Sequence, residues 1–389
     1  MKFKTSQHIY AHIDCDSFFA SCEILHNPTL AGKYVCVWGD IIVAATYNAK
    51  KLGIKVGTPI WEAKKMLRHV DAHFSGVHMS LYADISKQLM KYLRQHTLDV
   101  RVFSIDEAFV EISGLAEMNK LDLDMYLKKL QKDILQNIWV PVSIWVSNTR
   151  LKAKIFSKVE KPFWVCVWID TQREQAIFQK LSFREIPFIG SQTAKKLDFH
   201  INHIQDYIDI WYFEIIRRFW KNGGKIWLEL RGVSSMSFLP KSQAKSIWRM
   251  RAFNREKTTD INLLLNRIKS NLDRLCDELY VKWYEIKDIQ LLLIDTNWNY
   301  YKTHTIFPKY TSDRTTIFLA LKKLFFSIYD IWVLYRKTWV SSSQIQSIHQ
   351  KQLSLFDKEN TEHASNLHIE RLLHDIEEKY WKGILKVGV

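Results

Sequence analysis

The stretch HIDCDSFFA at residues 12–20 decides the fold, together with FSIDEAFVE at residues 103–111. Each stretch lies on an apolar, β-prone run, 9–13 and 100–112, and therefore predicts a strand with its acidic residues at the strand end. Clustered carboxylates repel one another unless a cation neutralises them. Because hard oxygen ligands favour Mg²⁺, the two stretches predict a magnesium site suited to phosphoryl transfer.

The composition limits the class of protein. The chain has 389 residues, 47% hydrophobic and 25% charged, which predicts a soluble globular protein of two to four domains. Its longest apolar run, residues 163–169, is too short to cross a bilayer, and residues 1–7 do not resemble a signal peptide. Five cysteines without a C-x-x-C pair predict a reducing, cytoplasmic location and no zinc site.

The net charge of +15 favours a polyanionic partner, although a generic basic surface is the alternative. Hydrophobic periodicity and turn residues predict several further strands and helices. They are strands at 34–37, 41–45, 140–146, 247–253, 286–293 and 332–340, and helices from 47 and at 81–96, 123–138, 261–280 and 314–329.

The two acidic motifs, D-x-D-x-F-F and S-I-D-E-A-F, resemble those of bacterial Y-family (lesion-bypass) DNA polymerases of the polymerase IV–V type. The resemblance extends over essentially the whole chain. It implies an α+β right-hand polymerase with palm, small fingers and a helical thumb containing a helix-hairpin-helix, plus a separate α/β little-finger domain. The implied segments are palm 1–20 and 78–167, fingers 21–77, thumb 168–232, linker 233–246, little finger 247–345 and a clamp-binding tail 346–389.

The resemblance also implies a metal site. Asp14, Asp106 and Glu107 match the catalytic carboxylates that hold two Mg²⁺ ions, and the Cys15 main-chain carbonyl is the expected additional ligand. Asp16 and Glu111 are acidic neighbours to which no role is assigned.

Five residues match the family's nucleotide-binding positions: Phe18, Phe19, Tyr47, Lys50 and Lys161. Phe19 matches the steric gate, where an aromatic ring would clash with a ribose 2′-hydroxyl, although a core phenylalanine is the alternative. Phe18 is expected to be in the core. Lys50 stands where arginine is frequent, so its phosphate contact is expected to be looser.

Basic residues are candidates for DNA contact. Gly190 and Lys195 lie in IPFIGSQTAKKL (186–197), which resembles a helix-hairpin-helix that binds backbone phosphate. An ordinary connection between helices is the alternative. Lys154, with Lys152 and Lys158, is spaced for one helix face, which is either a DNA-binding face or a solvated one.

The segment QLSLF at 352–356 resembles the bacterial sliding-clamp-binding peptide. The resemblance assigns clamp contact to Gln352, Leu353, Leu355 and Phe356, with the apolar side chains as anchors. Residues 367–380 form an amphipathic helical pattern. A helical tail after the clamp motif favours the UmuC-like branch of the family.

The expected function is low-fidelity, template-directed DNA synthesis across damaged templates by two-metal nucleotidyl transfer. The expected partners are primer–template DNA, dNTPs, the sliding clamp and possible accessory subunits, in a nucleoid-associated cytoplasmic location without membrane. Two alternatives are another palm-fold nucleotidyl enzyme, such as a nucleotide cyclase, and an inactive polymerase-like scaffold recruited to the clamp.

Tryptophan is unusually frequent and glycine rare. The chain has 15 tryptophans and 12 glycines, whereas average usage predicts about 27 glycines. Several tryptophans stand where the family motifs have glycine, which predicts that the organism reads UGA codons as glycine. The candidates are Trp38, Trp139, Trp145, Trp164, Trp220, Trp248, Trp332, Trp339 and Trp381. Trp61 and Trp227 lie in contexts that suit tryptophan, and a Trp-rich protein that stacks on bases is the alternative.

Overall fold

A computed structural model describes residues 8–96, 99–115, 120–167, 171–195, 201–235, 246–253 and 257–348. The chain divides into two compact units, Met1–Pro240 and Lys241–Val389. The division falls within the segment that the sequence assigns to a linker. Within the described ranges, no helix has the length and apolar character needed to cross a membrane.

The first unit alternates helices and strands before it becomes helical. Its elements are β1 (Tyr10–Cys15), α1 (Phe18–His26), β2 (Tyr34–Trp38), β3 (Ile42–Ala45), α2 (Tyr47–Lys51), α3 (Ile60–Met66), β4 (Ala72–Gly76), α4 (Met79–His96), β5 (Val100–Val102), β6 (Glu107–Glu111), α5 (Lys120–Ile138), β7 (Val142–Ser147), α6 (Arg150–Phe156), β8 (Val165–Val167), α7 (Thr171–Lys180), α8 (Ser191–Ala194), α9 (Ile204–Asp209) and α10 (Tyr212–Leu230).

A five-stranded sheet, here called the central sheet, has the order β5-β6-β1-β7-β8. β1 lies in the middle, antiparallel to β6 and β7, and all six of its residues are buried. Helix α4 presents Tyr82, Ile85, Leu89 and Leu93 to the core of this sheet, because residues three or four apart share a helix face. This packing holds β1, which carries the first acidic motif, in a rigid position.

The single strand expected over residues 100–112 is wrong. The chain instead forms β5 and β6, an antiparallel pair joined by the turn at 103–106. Ser104 and Asp106 close this turn by a hydrogen bond from the serine hydroxyl to the carboxylate. The acidic motif therefore lies in a hairpin turn and at the start of β6, not at the end of one long strand.

Two smaller parts complete the first unit. A three-stranded sheet, β3-β2-β4, has its own core of Ile42, Ala49, Ile54 and Leu67 with α2 and α3. Helices α6, α7, α9 and α10 share a third core. The predicted helix-hairpin-helix is only partly described, with Gly190 directly before the four-residue helix α8.

The second unit is a sheet covered by two helices. Its elements are β9 (Ile247–Ala252), α11 (Ile261–Val281), β10 (Tyr284–Asp295), β11 (Tyr300–Thr311), α12 (Arg314–Ile328), β12 (Tyr335–Ser342) and β13 (Ile345–Ser347). The strand order is β11-β10-β12-β9, and β13 also pairs with β10. Asp260 and Asp313 cap the two helices by accepting hydrogen bonds from backbone N–H groups of the first turn.

Three strands in this unit differ from the prediction. The short β13 is absent from it. β11 is also absent, because four consecutive polar residues, KTHT at 302–305, interrupt its apolar pattern and only two of its twelve residues are buried. The strand expected at 332–340 begins at Tyr335, since Trp332 is exposed in the preceding turn. The remaining predicted strands and helices of the unit are confirmed with shifts of at most two residues at their ends.

Candidate active site

Asp14 and Glu107 lie directly opposite each other on the neighbouring strands β1 and β6. Side chains at such positions are about 5 Å apart at Cβ, and like charges there are destabilising. Each carboxylate has an ammonium partner. Lys161 Nζ lies 2.6 Å from Asp14 Oδ1, and Lys154 forms a short ion pair with Glu107. The two lysines offset the repulsion between these carboxylates at opposed positions of the sheet.

Glu107 is held as a carboxylate. Burial alone would raise the pKa of this group, but hydrogen bonds from His12 and Lys154 outweigh it and lower the pKa to about 2. His12 Nε2 lies 2.8 Å from the carboxylate. Glu107 is therefore ionised at any physiological pH.

His12 is a site residue to which the sequence analysis gave no role. It is fully buried, two residues before Asp14 and so on the same face of β1, and its ring packs against Phe109 and Trp145. Burial lowers its pKa, so the neutral ring donates to Glu107 through Nε2. Within the described residues, Nδ1 has no hydrogen-bond partner. The signal that was available is the spacing, because His12 precedes Asp14 by two residues and therefore shares its strand face.

Among the described residues, His12, Asp14 and Glu107 form a group whose potential ligand atoms all lie within 4.8 Å of one another. The two carboxylates offer the hard oxygen ligands that Mg²⁺ prefers, and the imidazole already serves Glu107. Asp106 is outside this group, and its carboxylate accepts the Ser104 hydroxyl. Burial raises the pKa of Asp106, and the charges of Asp14 and Glu107 add to the effect.

Cys15 is placed beside these acids by its backbone. Its N–H donates to the Asp106 carbonyl at 2.9 Å, which ties the end of β1 to the hairpin turn. The expected ligand role of its own carbonyl stays a prediction.

Asp16 is a hydrogen-bonded carboxylate close to the acidic pair in sequence. It is buried and accepts hydrogen bonds from the Ser143 hydroxyl, the Phe163 N–H and the Tyr47 hydroxyl. Burial raises its pKa despite these bonds. Asp16 therefore joins three chain segments around Asp14. Glu111, in contrast, lies at the far end of β6 and pairs with His8.

The residues predicted to bind nucleotide converge on the same corner. Lys50 Nζ donates to Ser17 Oγ at 2.9 Å and lies 4.3 Å from the ring centroid of Tyr47. Burial, reinforced by the charge of Lys161, lowers the pKa of Lys50. Lys161 thus contacts Asp14, while Lys50 and the Tyr47 phenol lie together beside Ser17 and Asp16, an arrangement suited to an anionic ligand.

Phe18 and Phe19 have different environments at the start of α1. Phe18 is buried in the core of the central sheet, as expected. Phe19 is partly exposed and stacks on Tyr82. Its ring is therefore held at the edge of the core, where a bound molecule can meet it.

The three lysines of α6 and its end do not form one solvated face. Lys152 is buried and pairs with Glu174 at 2.7 Å, so that expectation is wrong for Lys152. Lys154 pairs with Glu107, and Lys158 with Glu185 at 3.2 Å. DNA contact by Lys154, Gly190 and the exposed Lys195 stays a prediction. Gln352, Leu353, Leu355 and Phe356 lie outside the described residues.

Residues 13–158 match the model of the impB/mucB/samB family. A DNA polymerase IV of Staphylococcus aureus (strain bovine RF122 / ET3-1) is 31% identical over 259 residues, which cover 64% of this chain and 76% of the relative. The chain belongs to the Y-family of DNA polymerases. As a Y-family polymerase it is a DNA-directed DNA polymerase of translesion synthesis.

Solved structures share the fold of this Y-family polymerase. A Y-family chimera of Dbh and Dpo4 aligns with a TM-score of 0.70 and 24% identity over 87% of this chain and 99% of the chimera. DinB from Sulfolobus solfataricus aligns with a TM-score of 0.54 and 24% identity over 87% of this chain and 99% of that protein. The expected fold class, a right-hand polymerase with a separate little-finger domain, is confirmed.

Proposed function

We propose that this polymerase adds deoxynucleotides to a primer with Asp14, Asp106 and Glu107 holding two Mg²⁺ ions. The observation that carries the proposal is the opposed pair of Asp14 and Glu107 on β1 and β6, each with a lysine on its carboxylate. An acidic pair that attracts two cationic side chains offers suitable ligands for divalent cations.

Asp14, Asp106 and Glu107 would hold Mg²⁺, which would lower the pKa of the primer 3′-hydroxyl and stabilise the charge that develops on the transferred phosphoryl group. The hydrogen bond with His12 keeps Glu107 ionised and oriented. A metal ligand that is already oriented by such a bond loses little conformational entropy when it binds the ion. The Cys15 carbonyl completes the proposed ligand set.

The incoming dNTP is proposed to lie between the acidic pair and the start of α2. Lys50 and Lys161 are the cations for its triphosphate, and Tyr47 orients it from the side of Asp16. Phe19 then faces the sugar, and its ring excludes a ribose 2′-hydroxyl. The pocket thereby selects deoxynucleotides by shape.

The domain bounds and the partners are inferred from the family to which the chain belongs. We infer palm (1–20, 78–167), fingers (21–77), thumb (168–232), linker (233–246), little finger (247–345) and a tail (346–389) that docks on the bacterial sliding clamp through QLSLF. The +15 charge supports primer–template DNA as the polyanionic partner, with Gly190 and Lys195 on its phosphates. Synthesis is low in fidelity and occurs at the nucleoid.

The test is primer extension by Glu107→Gln and Glu107→Ala, with Glu111→Ala as the matched control on the same strand. We expect both Glu107 variants to lose at least about 100-fold in extension, more than removal of a supporting residue costs. Their DNA affinity should stay within a few-fold of wild type, because the carboxylate holds metal and not DNA. Glu111→Ala should extend normally.

Extension by Glu107→Gln within tenfold of wild type would falsify the site assignment. If the protein purified from its own organism binds primer–template but does not extend it in Mg²⁺, it is the inactive scaffold and not the polymerase.

A further inference from the structure

Tryptophans occupy backbone conformations that side chains rarely adopt. Among the described residues, eight non-glycine residues have positive φ, and four of them are Trp139, Trp220, Trp283 and Trp298. Four glycines share this region. A bulky residue with positive φ is an outlier, since its Cβ crowds the backbone, and the residues that tolerate it best are Gly, Asn and Asp.

Trp139 and Trp283 follow the ends of helices. Trp139, with φ 64°, comes directly after α5, and its N–H donates to the Leu135 carbonyl at 3.0 Å. Trp283, with φ 57°, follows the C-cap Lys282 of α11 and donates to Tyr280 at 3.1 Å. This left-handed position after a helix is the one that glycine most commonly fills.

Trp220 has the most restrictive backbone of the four. It interrupts α10 with φ 60° and ψ −163°. That combination is essentially confined to glycine, because any Cβ meets the neighbouring peptide groups. The indole is 79% exposed, so little burial offsets the strain.

Trp298 lies in the hairpin between β10 and β11, with φ 68°. Asp295 closes this turn by accepting hydrogen bonds from the N–H groups of Asn297 and Asn299, both at 2.8 Å. Hairpin turns of this kind take glycine or asparagine where φ is positive. Asparagines stand on both sides, but tryptophan holds the left-handed position.

Trp227, in contrast, is a tryptophan whose burial and hydrogen bonds suit its site. It is 5% exposed, and its indole N–H donates to the carbonyls of Ile208 at 3.0 Å and Ile210 at 2.9 Å. Trp38 and Trp339 differ, because within the described residues their buried indole N–H groups have no acceptor. Such orphaned donors are costly in a packed core.

We propose that Trp139, Trp220, Trp283 and Trp298 are glycines in the protein as its organism makes it, because these codons are UGA and are read there as glycine. Trp38 and Trp339 belong to the same set. Trp283 and Trp298 were not among the positions that the sequence motifs suggested, so the backbone adds independent support. Trp145 is fully buried and donates to the Val159 carbonyl at 3.2 Å, and the structural argument does not extend to it.

The direct test is the gene together with the native protein. We expect UGA codons at 139, 220, 283 and 298 and a UGG codon at 227. Peptide mass spectrometry of the protein from its own organism should then give glycine at the four positions and tryptophan at 227. An indole mass at any of the four positions overturns the proposal.

A second test compares the full chain with tryptophan at all fifteen positions and its W139G/W220G/W283G/W298G variant. Relief of strain should raise the midpoint of thermal unfolding of each compact unit, by roughly 2–4 °C for each substituted position in that unit. W227G is the matched control and should lower the midpoint, because it empties a packed site. A quadruple variant that unfolds at a lower temperature than the chain with all fifteen tryptophans contradicts the proposal.

Discussion

The ring of Phe19 stacks on the ring of Tyr82, with centroids 4.3 Å apart and planes inclined by 14°. The Tyr82 hydroxyl donates to Glu23 at 2.5 Å, and this buried carboxylate also accepts from Ser75 at 2.6 Å. Phe19 is therefore backed by an aromatic ring whose own position is fixed by hydrogen bonds. In the proposed role of Phe19 as steric gate, this support would let the ring discriminate by shape, because the ring would not move aside for the ligand.

Phe19→Ala should admit ribonucleotides. Removing the ring opens the space that a 2′-hydroxyl needs, and we expect the ratio of ribonucleotide to deoxynucleotide incorporation to rise at least about tenfold. Single-nucleotide insertion kinetics with matched rNTP and dNTP measure it. Deoxynucleotide insertion should persist, and an unchanged ratio would show that Phe19 is a core residue and the gate lies elsewhere.

Tyr82→Phe should loosen the gate without removing it. The substitution keeps the stacked ring but deletes the hydroxyl that Glu23 binds, at a cost of about 1–3 kcal/mol in stability. We expect a smaller rise in ribonucleotide incorporation than in Phe19→Ala. Tyr92→Phe, on the same helix, is the control. A loss of stability with no change in sugar selection would mean that Tyr82 stabilises the fold and has no part in sugar selection.

Binding of primer–template should weaken steeply with salt. A basic protein releases counterions from the phosphates that it neutralises. The logarithm of its binding constant therefore falls with the logarithm of the salt concentration, with a slope of about −0.9 for each neutralised phosphate. Lys195→Ala should reduce the magnitude of this slope by about 1. Fluorescence anisotropy across a salt series gives both values, and a slope near zero for the unaltered chain would show that its charge does not face DNA.

Leu355→Ala combined with Phe356→Ala should abolish stimulation by the sliding clamp. Each anchor is worth on the order of 2 kcal/mol in a fitting groove. Synthesis without clamp should stay unchanged, since the active site lies in the first unit. Primer extension with and without clamp separates the two effects. A parallel fall in both activities would mean that the segment packs into the fold and is not a docking peptide.

The sequence predicted well those features that depend on local pattern. Asp14 lies near the end of an apolar strand, and the helix pattern around Leu89 and Leu93 is regular, so β1 and α4 lie where expected. The hairpin at 103–106 was missed because its apolar residues continue the strand pattern through the turn. β11 was missed because its buried face is small and four consecutive polar residues, 302–305, interrupt its apolar pattern.

The partners of the acidic residues could not be read from the sequence. His12 and Glu107 are far apart in the chain and meet only through the pairing of β1 with β6. The helical spacing of Lys154 indicated a DNA-binding or a solvated face, and it gave no sign of the pairing with Glu107. Such contacts depend on long-range register, which local periodicity does not encode.

The antiparallel register of β1 and β6 also limits how this enzyme can evolve. β1 pairs on both sides, so a one-residue insertion within it would turn Asp14 to the opposite face and disrupt two ladders at once. Folding and the proposed metal site thus depend on the same pairing, so a length change there would disturb both at once. Insertions and deletions among descendants of this gene should therefore be confined to the connections and spare these strands.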